Sequence, residues 1–309
     1  METPLRYDRA MRRLLPLLVA CDGSSTLDAA PADVVQIVNP LVGAGDVELV
    51  DGGYQFTEGP QWRDAEGDLV FTDIPANTIF RYVPGGSAPV SLRMPSEMAN
   101  GLAIAPDGAL WAAEHGSRTV TRDAVAMATM FEGSRLNSPN DVVIATDGTA
   151  YFTDPPFGIG DQPDELTFMG VFRLSGTTLT AEHRGGLAER PNGIGLSPDG
   201  ARLYVAYSND GVVYRFGIQA DGSLGSREPH ATTSGSADGL AIDGAGNVFV
   251  TSSSGVEVFA PDGSKWGTIA VPEQPANCAF GDADHKTLYI TARTSLYRVR
   301  LAAAGEPTR

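Results

Sequence analysis

Along most of the chain, apolar residues come in short blocks cut by Asp-Gly or similar turn pairs, and no helical spacing is sustained after about residue 20. The clearest unit is Asn140-Asp-Val-Val-Ile144, a turn at Asp147-Gly148, then Tyr151-Phe-Thr-Asp154. Val142, Val143 and Ile144, like Tyr151, Phe152 and Thr153, are β-formers, and Asp-Gly tolerates the positive φ of a tight hairpin. The unit recurs. It opens at Glu58, Asn100, Asn140, Asn192, Asp238 and Asn277, with turns at Glu66-Gly67, Asp107-Gly108, Asp147-Gly148, Asp199-Gly200, Gly246-Asn247 and Asp282 to Lys286. The gaps between openers are 42, 40, 52, 46 and 39 residues.

A repeat of that length, carrying several strands, predicts an all-β chain folded as a six-bladed β-propeller, and the oxygen-bearing openers add the expectation of a central metal site. Third strands are expected at Thr78–Val83, Gly170–Leu174, Val212–Phe216 and Val256–Phe259. The Val47–Asp51 segment should join the C-terminal strand Ser295–Arg300 in one blade, which closes the ring and removes its free edge. The openers then converge at one end of the channel. Asp73, His115, Asp154, Ser208, Ser252 and Arg293, which end or follow the second strands, are expected to rim the same opening. The connection from Pro155 to Glu165 should emerge there as a lid.

The chain has 309 residues, 36 Gly and 21 Pro, which suits one large domain of many short strands. A net charge of −16, without a Lys/Arg cluster beyond Arg9, Arg12 and Arg13, argues against a nucleic-acid partner. No apolar run is long enough to span a bilayer. Cys21 and Cys278 do not make a disulfide framework. Cys278 reads as a small buried filler, and Trp62 and Trp111 as core between blades. Residues 1–40 read as a leader and linker, and 41–309 as the propeller. Met11-Arg-Arg-Leu-Leu-Pro-Leu-Leu-Val-Ala-Cys21 has the basic start, apolar run and cysteine of a bacterial lipoprotein signal, with initiation at Met11 and a lipid anchor on Cys21. That expects a periplasmic or membrane-anchored protein; a disordered leader on a cytoplasmic protein is the alternative.

The openers change the picture from architecture to chemistry. Glu58, Asn140, Asn192 and Asp238 offer two carboxylates and two amide carbonyls, hard oxygen ligands suited to Ca²⁺ and less strictly to Mg²⁺, Mn²⁺ or Zn²⁺. Two carboxylates in a narrow channel repel each other, and a divalent cation removes that repulsion. Asn-Gly and Asp-Gly are ordinary turn pairs, but each hairpin here already has its own turn farther on. Asn100 and Asn277 read as substrate contacts or polar channel fillers, and Asp141 as a carboxylate that orients its neighbouring ligand.

The sequence resembles the SMP-30/gluconolactonase family of six-bladed propellers. The resemblance rests on Glu58-Gly-Pro-Gln-Trp62, Asn100-Gly-Leu102, Glu114-His-Gly116, Asn137-Ser-Pro-Asn-Asp-Val142, Phe152-Thr-Asp-Pro-Pro-Phe-Gly158, Pro191-Asn-Gly193 and Asp238-Gly239, and runs from about residue 45 to 301. It implies a divalent cation held by Glu58, Asn140, Asn192 and Asp238, and hydrolysis of a lactone. It also implies substrate contacts at Asn100, Asn137 and Asp141. Either carboxylate ligand offers a basic oxygen to water, which an amide does not; the resemblance favours Asp238 over Glu58 as general base. His115 is the second candidate for proton work. No Gly-x-Ser-x-Gly elbow is present, which disfavours a serine nucleophile. A phosphotriesterase or arylesterase of the same fold, and a non-catalytic binding propeller, are the competing readings.

Overall fold

A computed structural model describes residues 38–305. The proposed signal, Met11, Cys21 and the linker fall outside the described residues. Six four-stranded antiparallel sheets follow one another along the chain. Their innermost strands are Thr57–Arg63, Ala99–Ile104, Val142–Ile144, Pro191–Leu196, Ala237–Ile242 and Pro275–Gly281. The expected third strands are each third in their sheet, at Thr78–Tyr82, Met169–Ser175, Val212–Gly217 and Gly255–Phe259. The ring closes as expected: Glu48–Gly52 is the outer strand of the sixth blade and pairs with Ser295–Arg300.

Each sheet packs against a neighbour on both faces, so its second strand is buried along nearly its whole length instead of alternating. Six clusters of buried side chains fill the six interfaces between adjacent blades. Trp62 stacks on Tyr289 across the first and sixth blades, with ring centroids 6.2 Å apart. Trp111 lies in the cluster between the second and third. The blades are also pinned at the inner edge: the hydroxyls of Thr72, Thr153 and Thr251 donate to the Asn100, Asn192 and Ala276 carbonyls of the next blade, at 3.0, 2.7 and 2.7 Å.

The glycines after the openers have a different cause from the one expected of a turn pair. The register of five innermost strands slips at the opener, where the strand carries extra residues against its partner. Such a bulge bends the strand and re-aims a side chain. It also drives neighbouring backbones together near the axis. A Cβ on Gly193 would fall 2.4 Å from the Asp238 carbonyl oxygen and 2.6 Å from Gly239 Cα. A Cβ on Gly101 would fall 2.5 Å from Asp141 Cα. Backbone cannot step aside as a flexible side chain does. Gly193→Ala is therefore expected to cost about 1–3 kcal/mol in urea unfolding, whereas a turn-only role would leave stability nearly unchanged.

Candidate active site

Five openers converge at one end of the channel, four of them aimed by these bulges and Asn140 standing just ahead of the unbulged third-blade strand. Asn100 Nδ2 donates to Asn140 Oδ1 at 2.8 Å, Asn140 Nδ2 to Asn192 Oδ1 at 2.7 Å, and Asn192 Nδ2 to Ser208 Oγ at 3.0 Å. This chain of amides runs round half the ring. Glu58 and Asp238 occupy the other half, and Asp238 sits beside Asn192, whose amide eases its charge. Glu58, Asn100, Asn140 and Asn192 are buried, while Asp238 keeps contact with solvent.

The sixth opener is misplaced by one residue in the sequence-based reading. Thr291 of the second strand faces Asn277, and Ala292 faces Pro275, with Ala276 bulged between them. In the fifth blade Ser252 faces Ala237 and Val250 faces Leu240, with Asp238 and Gly239 bulged opposite Thr251. Ala276 therefore takes the opener position, and Asn277 takes the position of Gly239. Asp141 has that same position in the third blade. Asp141 and Asn277 thus form a second layer beneath the ring, at the head of a channel cavity of about 180 Å³ that is otherwise mostly apolar. Asp141 Oδ1 accepts from the Val142 amide at 2.9 Å, and Oδ2 from the Ile194 amide at 3.3 Å. These bonds tie the third blade to the fourth just below the ring.

The expected rim also splits. Asp73, Asp154 and Ser252 end the second strands, and strand alternation turns them away from the axis. Asp73 accepts from the Gln55 and Phe56 amides, Asp154 from the Asn137 amide, and Ser252 donates to Glu257. His115, Ser208 and Arg293 lie one residue later and turn inward. His115 Nε2 is 3.2 Å from Asn100 Nδ2, Ser208 meets Asn192, and the Arg293 guanidinium lowers the proton affinity of Asp238. Asn137 is fully buried, and its Nδ2 donates to the Asp154 and Phe168 carbonyls at 3.0 and 3.1 Å. Its neighbour Ser138 donates to the Pro155 carbonyl at 2.7 Å and accepts from the Gly158 amide at 2.9 Å. The Asn-Ser pair therefore clamps the 155–165 connection, a role the sequence did not signal. That connection reaches the site at His115. A Cβ on Gly158 would fall 2.3 Å from His115 Cγ.

Burial and like charge dominate the electrostatics. Burial pushes Glu58 up to about 7. Burial, then the Glu58 charge, pushes Asp141 up to about 8. Asp238 is raised well above its ordinary range by burial, then by Glu58. None of the three carboxylates forms an ion pair among the described residues. Burial also lowers His115 to about 4, so it is neutral at neutral pH, and its ring meets the Asn100 amide. Removing one such contact costs about tenfold. His115→Ala should accordingly raise KM for the substrate with a small change in kcat; a large kcat loss would return the proton work to the histidine.

No group of three Asp, Glu, His or Cys side chains among the described residues forms a metal cage by itself. Any cation there needs the amide oxygens as well. The donor set fits one. Two of the carboxylates, Glu58 and Asp238, share the ring with the Asn140 and Asn192 amide oxygens, each of which has a second lone pair beyond its present bond. The buried Asn100 Oδ1 has no partner at all. This is an all-oxygen set of the kind that hard divalent cations take.

The family model for the SMP-30/gluconolactonase/LRE-like region matches residues 56–294. The chain belongs to that family. Its sequence is 34% identical over 295 residues to a gluconolactonase of Zymomonas mobilis, covering 84% of this chain and 82% of that one. A pentonolactonase of Haloferax volcanii is 28% identical, covering 84% and 95%. Among solved structures, a gluconolactonase of Xanthomonas campestris superposes with a TM-score of 0.77 at 32% identity, covering 82% and 89%. The matched residues 56–294 contain every member of the ring and its second layer, so the family's region and the converging side chains coincide.

Proposed function

We propose that the protein is a cation-dependent lactonase that opens a sugar-type lactone, with Ca²⁺ as the cation. The observation that carries this reading is the pairing of two mutually repelling carboxylates, one buried and one half-buried, with an amide chain, all aimed into one mouth. Glu58, Asn140, Asn192 and Asp238 would hold the cation, which when bound supplies Lewis-acid polarisation of the lactone carbonyl. Asp238 is the carboxylate open to solvent, so it is the one that can take a proton from the attacking water. It then returns that proton to the ring oxygen as the ester bond breaks, leaving a hydroxy acid. Asn100 positions substrate beside His115, whose neutral ring leaves the proton traffic to Asp238. The 155–165 connection, held by Asn137 and Ser138, limits access to water from the His115 side.

A substrate panel tests the class. Glucono- and pentono-lactones should be hydrolysed with a kcat/KM well above those for an aryl ester and a phosphotriester. Preference for either of the latter, or no turnover of any, contradicts the reading. For cellular placement we propose a lipid anchor at Cys21: Cys21→Ser should move the protein from the membrane to the soluble fraction, and unchanged fractionation rejects the anchor.

A further inference from the structure

His115 meets two pieces of chain from neighbouring blades. Its own hairpin tip, Gly116 to Arg118, joins Leu110–Glu114 to Thr119–Arg122 in the second blade. Gly158 of the 155–165 connection, in the third blade, lies against the ring. Arg118 ties the two together. Its side chain is fully enclosed. Nε donates to the Leu136 carbonyl at 2.6 Å and Nη1 to the Pro163 carbonyl at 3.4 Å, and Nη1 lies 3.6 Å from Glu165 Oε1. The Arg135 amide donates to the other oxygen, Glu165 Oε2, at 2.8 Å. The Arg135 guanidinium reaches Gln162 Oε1 and the Ser117 carbonyl, each at 3.3 Å. Glu165 is thus met at both oxygens, and the far end of the connection is bound to the tip that follows His115. Apolar packing adds little there. Every residue from Gly160 to Glu165 is exposed, with buried Ile159 and Leu166 on either side.

We infer that Arg118 and Glu165 are a positioning pair for the site: they lock the hairpin tip that carries His115 to the 155–165 connection, and so hold the His115 ring against Asn100. A buried guanidinium is stable only where carbonyls and carboxylates compensate its charge, so removing Glu165 loosens both sides of the lock. The pair acts on substrate through His115, whose Nε2 is 3.2 Å from Asn100 Nδ2. The inference rests on the lactonase reading above.

The test is a double-mutant cycle on lactone hydrolysis. Glu165→Ala is the principal variant, because Glu165 is at the surface and its loss leaves the core intact. It should raise KM roughly 3- to 10-fold with kcat nearly unchanged. Glu165→Gln, which keeps an oxygen for the donors, should fall between Glu165→Ala and the wild type. In a His115→Ala background, Glu165→Ala should add nothing further to KM, as expected of residues acting through one contact. Chymotrypsin reads the connection independently of activity: cleavage after the exposed Phe157 should be several-fold faster in Glu165→Ala and in Arg118→Met. A Glu165→Ala protein with wild-type KM overturns the inference, as does a KM rise that persists in full in the His115→Ala background, or unchanged cleavage after Phe157. A wild-type protein that hydrolyses no lactone overturns the functional reading, and the cleavage comparison then decides the pair by itself.

Discussion

Asp238→Asn should fold, bind a divalent cation more weakly, and lose roughly 100- to 10,000-fold in kcat at saturating cation. The substitution keeps size and one coordinating oxygen while removing the basic one. Asp238 is singled out by position. It is the ring carboxylate in contact with solvent, it lies next to Asn192 on one side, and the Arg293 charge reaches it on the other. Glu58 is more deeply enclosed and held by the Gly59 amide, so it suits a ligand better than a base. Steady-state kinetics across a cation titration separate the two effects. Near-normal turnover at excess cation would contradict the assignment. A comparable loss in Glu58→Gln at saturating cation would move the base to Glu58.

The second large effect concerns stability without cation. Glu58 is held near 7 against an ordinary 4.5, and Asp141 near 8 against 3.8. The folded chain therefore binds protons more tightly than the unfolded chain over the pH range between those values. By linkage, stability falls as pH rises through that window, from about 4 to about 8. Each tenfold difference in proton affinity between the folded and unfolded chain is worth about 1.4 kcal/mol, and both carboxylates act with the same sign. Urea unfolding in chelator should show a lower midpoint at pH 8 than at pH 5. Saturating Ca²⁺ should flatten or reverse that slope, since it favours the ionised carboxylates. A chelated protein equally stable at both pH values would contradict this picture of the ring.

Much of the fold was legible because its signals are local. Gly67, Gly108, Gly148 and Gly200 all take positive φ at the expected hairpin turns. The apolar blocks between them mark the strands. The ring members Glu58, Asn140, Asn192 and Asp238 were legible for the same reason, since each stands seven or eight residues ahead of a turn. What failed depends on register across strands, which the sequence does not display. Pro275-Ala-Asn277 and Pro191-Asn-Gly193 look alike, yet a one-residue difference in the bulge puts Ala276, not Asn277, level with Asn192. The rim failed by the same one-residue margin: Asp154 and Ser208 both follow second strands, but strand alternation sends only one of them inward. The carbonyl partners of Asn137, on Asp154 and Phe168, flank the 155–165 connection and meet it only in the folded chain. The Asn-Gly pairs carried a real signal, and its cause is the crowding of backbones at the axis.

The most direct measurement is lactone hydrolysis by protein stripped with chelator and then titrated with Ca²⁺, with metal content assayed alongside. The account predicts that the metal-free chain loses its activity and regains it as one cation binds per chain. Undiminished hydrolysis by a chain verified to be metal-free would contradict it.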